Sequence, residues 1–264
     1  MAGGMFLIQG EDRLVEMKES FYDSESLIQS LLASYPHLLA GDQMDPSNPR
    51  KWLLVKREAG LPSEEGGGAR WSVDHLFLDQ EGIPTLVEVK RSTDTRIRRE
   101  VVGQMLDYAS NALLYWPVEQ IRSYLTNTLQ KQGMEELQAL EELLGEDADS
   151  DHFWQQVRTN LQAGRVRMVF VSDTIPSELQ RIVEFLNGQM NPAEILAVEI
   201  KQFVGQGMQT LVPRVLGQTT GALQKRSIGG GKPENKWDQD SFFATLSRQS
   251  EPGIVQRARE ILAW

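Results

Sequence analysis

The fold of this chain is decided by residues 71–90, which read WSVDHLFLDQEGIPTLVEVK. Residues 71–78 predict a strand that places Asp74 and His75 on opposite faces. The segment DQEG predicts a hairpin turn, and the apolar, β-branched run over residues 83–89 predicts a buried central strand. The sequence therefore predicts an antiparallel hairpin at the centre of a sheet.

Three charged residues interrupt this apolar hairpin: Asp74, Glu88 and Lys90. Glu88 and Lys90 are two residues apart, so their side chains point to the same face of their strand. Burying such a pair on a central strand costs free energy, which favours a functional interpretation. Two carboxylates near main-chain carbonyls form an all-oxygen site that suits Mg²⁺ or Mn²⁺. A lysine beside that site can orient or deprotonate a water molecule, or stabilise a pentavalent phosphate.

The rest of the chain predicts helices and strands that surround the hairpin. Apolar residues at helical spacing predict one helix over residues 24–34 and a longer one over residues 95–114. Strands are predicted at 52–57, 165–172, 195–204 and, more weakly, 209–215, and further helices at 118–162 and 176–189. The predicted order is helix, three strands, helices, strand, helix and strand, which defines a mixed α/β core.

The charged residues of the hairpin resemble the signature of the PD-(D/E)XK nuclease superfamily. That signature has an acid on the second core strand and (Asp/Glu)-x-Lys on the third, which Asp74 and Glu88-Val89-Lys90 match, although Val73 replaces the usual proline. A glutamate often precedes them on the first helix, where Glu25 stands in this chain. The resemblance covers residues 20–115 well and 165–212 loosely.

A second motif strengthens the resemblance. Many repair and exonuclease branches of the superfamily carry Gln-x-x-x-Tyr on the helix after the third strand, and Gln104 to Tyr108 matches it. The run from Asp74 to Tyr108 is similar to stand-alone bacterial nucleases related to the mismatch-type endonuclease NucS. The resemblance therefore implies a restriction-endonuclease-like core, with a mixed central sheet flanked by helices.

The resemblance also implies a role for each matching residue. Asp74, Glu88 and the Val89 carbonyl would bind Mg²⁺ or Mn²⁺, and Lys90 would position and activate water. Glu25 would hold a second metal ion or a metal-bound water. Gln104 and Tyr108 would brace the centre or contact the substrate strand. The implied reaction is hydrolysis of phosphodiester bonds in DNA, in repair or in defence, with endonuclease action favoured over exonuclease action.

A basic cluster adjoins this motif. It consists of Lys90, Arg91, Arg96, Arg98 and Arg99, with Asp94 as the one acid among residues 90–99. The cluster lies at the start of the predicted long helix, where the helix dipole and free N–H groups favour anions. We expect the four arginines to contact phosphates, and the alternative is a solvated helix turn with ion pairs to Asp94 and Glu100.

Composition limits the remaining possibilities. The formal net charge is −10, which disfavours a non-specific nucleic-acid coat protein, and residues 135–151 contain eight acids and no base. The acidic run predicts an exposed surface, with a gate that repels duplex DNA as the alternative. Cysteine is absent and the three histidines are far apart, so no zinc site is expected, and His75 is predicted to be a packed core residue. No membrane span or secretory signal is evident, and we expect a cytoplasmic location.

The predicted domain organisation places the nuclease-like domain at residues 1–216, with 118–162 as a helical insertion or cover. Residues 217–236 are rich in Gly, Thr, Gln, Lys and Ser and predict a linker. Residues 237–264 predict a small helical appendage that either packs on the main domain or belongs to a truncated domain.

Two other functions stay open on the sequence. The chain could be a catalytically silent, nuclease-like module that binds nucleic acid or serves as a scaffold, or a metal-dependent hydrolase of a small phosphoester. DNA is the expected partner, and the physical argument does not separate it from RNA. A single site of this type often works as a homodimer that cuts both strands, so a homodimer is one expected assembly.

Overall fold

The computed structural model describes residues 5–10, 13–62, 69–94 and 100–218. Its backbone divides into two units, residues 1–222 and 223–264, and all of the described residues belong to the first. Three of the predicted phosphate-binding residues, Arg96, Arg98 and Arg99, lie outside the described residues. The predicted linker beyond residue 218 and the predicted appendage over 237–264 also lie outside them.

The centre of the described chain is a mixed sheet of eight strands. The strands are β1 (Met5–Gln9), β2 (Arg13–Ser20), β3 (Trp52–Pro62), β4 (Ala69–Asp79), β5 (Pro84–Val89), β6 (Arg167–Ser172), β7 (Glu194–Gly205) and β8 (Met208–Leu216). Their order is β1-β2-β7-β6-β5-β4-β3, with β8 paired to β7 beside this path. Helices flank both faces, so the predicted α/β class with a mixed central sheet is confirmed and is consistent with a restriction-endonuclease-like core.

The helices follow the predicted segments, except that the short turn over 36–39 and the one-turn helix over 41–44 were not predicted. They are α1 (Glu25–Ser34), a 3-10 turn (Pro36–Leu39), α2 (Gly41–Met44), α3 (Glu100–Tyr115), α4 (Val118–Gln132), α5 (Glu136–Leu144), α6 (Ser150–Gln162) and α7 (Ser177–Gln189). Ser24 caps α1 because its hydroxyl accepts a hydrogen bond from the Leu27 amide at 3.2 Å. The predicted long helix over residues 95–114 is described from Glu100 onward. None of the described helices is long and apolar enough to cross a bilayer.

The pairing of the strands changes direction at β5. Strands β3, β4 and β5 are antiparallel neighbours, whereas β5, β6 and β7 run parallel to one another. His75 pairs with Val87, so one further step along this register brings Asp74 opposite Glu88. Glu88 pairs in turn with Phe170 of β6. The carboxyl ends of the parallel strands β5 and β6 therefore lie level with Asp74, in the middle of β4.

Two apolar cores cover the two faces of the sheet. On one face, Leu86 belongs to a large core that also takes in apolar residues from α3, α4, α5, α6 and α7. On the other face, Val87 and Val89 pack with Ile28 and Leu32 of α1 and with residues around α2. All six residues of β5 are buried, which confirms the predicted central strand. Because neighbours on a strand face opposite ways, Glu88 lies on the α3 side of the sheet.

Helices α4, α5 and α6 occupy the segment predicted to be an insertion or a cover. Their apolar residues Leu125, Leu140 and Phe153 belong to the large core and are at most 1% exposed. Thr128 of α4 also donates a hydrogen bond from its hydroxyl to the Val55 carbonyl of β3 at 2.6 Å. Since β3 ends the sheet, α4 satisfies part of an edge that would otherwise be open to pairing with another strand.

Strands β1 and β2 were not predicted, and the predicted order, which begins with a helix, is wrong at this end. The two strands form an antiparallel hairpin that pairs with β7 through residues 18–20. Met5 and Leu7 pack against a small core, whereas Phe6 and Ile8 are 60% and 68% exposed. Because both faces of β1 carry apolar residues, the segment lacks the alternation that predicts a half-buried strand.

Candidate active site

Lys90 lies among three carboxylates where β4 and β5 meet. Its ammonium donates to Glu88 Oε1 at 2.8 Å and to the Val89 carbonyl oxygen at 3.0 Å. Glu25 Oε2 of α1 lies 4.0 Å from the same nitrogen. Glu88 is only 3% exposed, whereas the Lys90 side chain is 13% and the Glu25 side chain 30% exposed. The site is therefore buried at Glu88 and opens toward Glu25.

Asp74 and Glu25 both hold the backbone that carries Lys90. Asp74 Oδ2 accepts a hydrogen bond from the Val89 amide at 2.7 Å, and Glu25 Oε1 accepts one from the Arg91 amide at 3.2 Å. Asp74 therefore holds the residue before Lys90, and Glu25 holds the residue after it. Charge-assisted hydrogen bonds of this kind fix geometry more firmly than bonds between neutral groups.

Helix α3 contributes the two residues of the predicted Gln-x-x-x-Tyr motif. Gln104 Nε2 donates to Glu88 Oε1 at 3.1 Å and also to the Tyr108 hydroxyl. Residues four apart on a helix lie on the same face, which explains how one amide reaches both partners. The structure therefore brings together all six predicted catalytic residues: Glu25, Asp74, Glu88, Lys90, Gln104 and Tyr108. Their roles stay predictions.

The electrostatics of the acids follow from burial and proximity. Burial raises the pKa of Glu88 to about 7, with the charge of Asp74 acting in the same direction and Lys90 opposing it. Burial likewise raises the pKa of Asp74, whereas the hydrogen bond from the Val89 amide and the charge of Lys90 lower it. Burial alone would lower the pKa of Lys90, but the charge of Glu88 raises it. The two carboxyls therefore resist being ionised together, while the ammonium form of Lys90 is favoured.

The donor atoms of this site fit a hard divalent cation. Glu88 Oε2 is buried and has no hydrogen-bond partner among the described residues, although buried carboxylate oxygens normally have one. Asp74 and the Val89 carbonyl supply further oxygen donors, as Mg²⁺ and Mn²⁺ prefer. Across the described ranges no group of three or more His, Cys, Asp or Glu side chains could hold a metal ion. Glu25 is thus not brought into a common ligand set with Asp74 and Glu88.

Arg91 is the one predicted phosphate-binding arginine within the described residues. Its Nη1 donates to the Asp23 carbonyl at 3.3 Å, and its Nε is buried with no partner among the residues described. The side chain is half-buried against the start of α1. Its guanidinium therefore has a structural contact within the chain, and its contact with phosphate stays a prediction.

His75 lies on the opposite face of β4 from Asp74 and is fully buried, which confirms the predicted core position. Its Nε2 lies 2.8 Å from the Gln29 carbonyl of α1 and must be the protonated nitrogen, since a carbonyl only accepts. Nδ1 has no partner among the described residues. Burial lowers the pKa of His75 to about 4, from an ordinary value of 6.5.

The buried His75 predicts a pH dependence of stability. Its pKa is lower in the folded chain than in the unfolded chain, so the unfolded chain binds more protons between pH 6.5 and pH 4. The free energy of unfolding should fall over that window as the pH is lowered, by up to about 3 kcal/mol from this group. Urea unfolding in EDTA should show a smaller fall for His75→Gln than for the wild type. Parallel pH profiles for the two proteins would contradict the assignment.

Asp173 is a polar residue near the site that the sequence analysis missed. It directly follows β6, is 3% exposed, and accepts a hydrogen bond from the Ser92 amide at 2.7 Å. The useful signal was its position, because ligands in α/β sheets bind outside the carboxyl ends of parallel strands. The predicted strand over 165–172 already placed Asp173 at such an end.

Comparisons with known proteins give little further information. No protein-family model matches the sequence, and no curated protein matches it. One solved structure, a repair endonuclease from Pyrococcus abyssi, is similar over 73% of this chain and 64% of that chain, at 13% identity and a TM-score of 0.32. The matched part therefore spans less than two thirds of that protein. At this TM-score the likeness carries no argument, and the fold assignment rests on the sheet and helices described above.

Proposed function

We propose that the chain is a Mg²⁺-dependent or Mn²⁺-dependent nuclease that hydrolyses phosphodiester bonds in DNA, more as an endonuclease than as an exonuclease. The observation that carries the proposal is the environment of the buried Glu88 carboxylate. This carboxylate is 3% exposed, lies opposite Asp74, is held by Lys90 and Gln104 through one oxygen, and keeps its other oxygen without a partner among the described residues. Most buried side-chain oxygens in proteins have a hydrogen-bond partner, so the unpaired oxygen of Glu88, which lies beside a second carboxylate, supports a ligand role.

Asp74, Glu88 and the Val89 carbonyl would hold the metal ion. When bound, such an ion lowers the pKa of a coordinated water and polarises a phosphoryl oxygen. Gln104 fixes the direction in which the Glu88 carboxylate points, and Tyr108 fixes Gln104. These contacts support a preorganised site, in which catalysis loses little to reorganisation.

Lys90 would act as a cation rather than as a base. Its raised pKa keeps the side chain in the ammonium form, which has three donors and no lone pair to accept a proton. The ammonium can therefore donate hydrogen bonds to a phosphate oxygen and to the attacking water. Of the roles open to it on the sequence, stabilising the charge of the phosphate is the one that this environment favours.

One observation favours the alternative of a catalytically silent binding module. The Lys90 ammonium already contacts Glu88 Oε1 and the Val89 carbonyl, which are two of the proposed ligand atoms. A lysine that neutralises Glu88 permanently would make the cluster structural. The proposal therefore requires that Lys90 give up part of these contacts when a metal ion binds.

A cleavage assay separates the two functions. Purified full-length protein is incubated with supercoiled plasmid, circular single-stranded DNA, a mismatched or branched duplex, and RNA, each with Mg²⁺, Mn²⁺ or EDTA. We expect cutting of DNA that requires the metal ion and that falls at least about a hundredfold in Lys90→Ala, to a residual rate that is measured at high enzyme concentration. Cutting of circular substrates would establish endonuclease action, and preferential cutting of RNA would replace DNA as the substrate. Absence of both cleavage and metal binding by calorimetry would leave the binding module as the function.

DNA as the substrate, a role in repair or defence, and a homodimer that cuts both strands are parts of the proposal that rest on the sequence resemblance alone. Each has its own readout. Substrate preference comes from the cleavage assay, and sedimentation with and without duplex DNA gives the assembly state.

A further inference from the structure

Four consecutive backbone amides around Lys90 are all held by acceptors from elsewhere in the fold. The Val89 amide donates to Asp74, the Lys90 amide to the Val171 carbonyl at 2.9 Å, the Arg91 amide to Glu25, and the Ser92 amide to Asp173. Three of the four acceptors are carboxylates, and they come from β4, from α1 and from the end of β6. We call residues 89–92 the clamped segment.

Asp173 differs from Asp74 and Glu25, the other two carboxylates that hold the clamped segment. It makes no hydrogen bond or ion pair with any of the six proposed catalytic residues, yet it is 3% exposed. Its Oδ1 also accepts from the Thr174 amide and from the Ser172 hydroxyl, both at 3.1 Å. Its Oδ2 is buried with no partner in the described part of the chain, and so is the hydroxyl of Tyr22. Burial, and after it the charge of Asp173, raises the pKa of that tyrosine.

A buried carboxylate with an unpaired oxygen is costly, so its retention needs a compensating role. The bonds to Ser172 and Thr174 are local to the turn and make no connection to the clamped segment. The strongest contact of Asp173 is the bond to the Ser92 amide, which joins residues 81 apart in sequence. This bond ties the segment after Lys90 to the end of β6, the strand on which Val171 already holds the Lys90 amide.

We propose that Asp173 is a positioning residue that sets the place of the Lys90 ammonium by holding the Ser92 amide; the proposal rests on the proposed nuclease function of the Lys90 site. The Lys90 side chain takes its direction from the backbone of the clamped segment, which ends at Ser92. Without the bond to Asp173, the backbone that follows Lys90 would be held by Glu25 alone, whose side chain is 30% exposed. A displacement of about 1 Å at a reacting group can lower a rate about 100-fold.

Asp173→Ala and Asp173→Asn test the role, and Asp45→Ala serves as the matched control. Asp173→Asn keeps an oxygen that can accept from Ser92, so it should behave like the wild type, whereas Asp173→Ala loses that acceptor. Asp45 has the same local chemistry, because its Oδ1 accepts from the Ser47 and Asn48 amides and from the Ser47 hydroxyl. It lies in the segment after α2, where its side chain also approaches Arg50.

The first measurement is amide hydrogen exchange in full-length protein without metal, which does not depend on activity. In Asp173→Ala we expect exchange to become at least about tenfold faster at Ser92 and also at Arg91 and Lys90, with little change in Asp173→Asn and in Asp45→Ala. Faster exchange at Ser92 alone would overturn the proposal, since the bond would then be local and would not position Lys90.

The second measurement is a double-mutant cycle in DNA cleavage with Mg²⁺. Asp173→Ala should lower kcat about 10-fold to 100-fold with KM nearly unchanged, as losses of supporting contacts around metal sites do. The same change in a Lys90→Ala background should add less than about twofold, because residues that act through one another are not additive. A full multiplicative loss in that background would overturn the proposal. If the wild type cuts no substrate, the nuclease function fails, and the exchange data alone decide whether Asp173 positions Lys90.

Discussion

Glu88→Gln should abolish metal-dependent cleavage and leave the fold intact. We expect a loss of at least about a thousandfold in kcat, which corresponds to about 4 kcal/mol of transition-state stabilisation. The amide removes the negative charge that a divalent cation needs and replaces one carboxylate oxygen by a donor. The folded chain should meanwhile become equally or more stable, because burial and the charge of Asp74 already raise the pKa of Glu88 to about 7. Cleavage of the DNA substrate and urea unfolding, both at pH 7.5, measure the two effects separately.

Glu199→Gln is the matched control for this experiment. Glu199 is also a buried glutamate, 5% exposed on β7, but both of its oxygens have partners away from the Lys90 site. Oε2 accepts from the Ile175 amide at 3.0 Å, and Oε1 lies 3.3 Å from the Arg214 guanidinium. Its substitution should cost less than about 1 kcal/mol, because the amide oxygen can still accept from Ile175 and only the pair with the exposed Arg214 is lost. It should leave kcat within about threefold. Equal loss of cleavage in both variants would mean that Glu88 acts through stability, and the proposed metal site would be wrong.

The local part of the site could be predicted from the sequence because it depends on short spacings. Glu88 and Lys90 share a face of one strand, and Gln104 and Tyr108 are one helical turn apart, so neither pair needs knowledge of the tertiary structure. Asp74 and Glu88 are joined by a short hairpin, whose register follows from its turn. These spacings predicted that Asp74, Glu88 and Lys90 meet, whereas the place of Glu25, Gln104 and Tyr108 beside them was implied by the family resemblance alone. The structure brings all six together.

The parts that could not be predicted depend on contacts distant in sequence. The Asp173 contact with Ser92 spans 81 residues, and nothing near either residue indicates the other. The place of the β1–β2 hairpin is also set by a distant contact, because β2 pairs with β7, where Lys18 lies opposite Val204. A pattern within the first twenty residues does not carry that information.

Arg167 is another residue whose environment the sequence hides, and we expect Arg167→Met to destabilise the chain by about 3 to 5 kcal/mol. It begins β6, is 1% exposed, and donates to Asp79 Oδ2 at 2.9 Å, to Glu194 Oε2 at 2.8 Å and to the Thr85 hydroxyl at 3.1 Å. Its guanidinium also lies 5.3 Å from the centre of the Trp52 ring. Removing the cation leaves the carboxylates of Asp79 and Glu194 with fewer partners. The charge that stays buried without a partner lowers the free energy of unfolding.

Arg158→Met is the control for charge removal alone. Its pair with Glu119 joins two exposed side chains, 56% and 70% accessible, so the change should cost less than about 1 kcal/mol. Urea unfolding at pH 7 compares the two variants, and a loss below 1 kcal/mol in Arg167→Met would contradict a stabilising role for the buried cluster.

Cleavage by Arg167→Met below its unfolding transition then shows whether stability and activity are separable in this fold. Arg167 pairs with Thr85, whereas Glu88 pairs with Phe170, three residues further along the same two strands and therefore about 10 Å away. Because the two clusters lie at opposite ends of β5 and β6, and no side-chain hydrogen bond or ion pair joins them in the described part of the chain, we expect kcat to stay within about twofold of the wild type. A large loss of kcat in the folded variant would mean that the strand ends are coupled, and the site at Glu88 would then depend on the whole length of the central sheet.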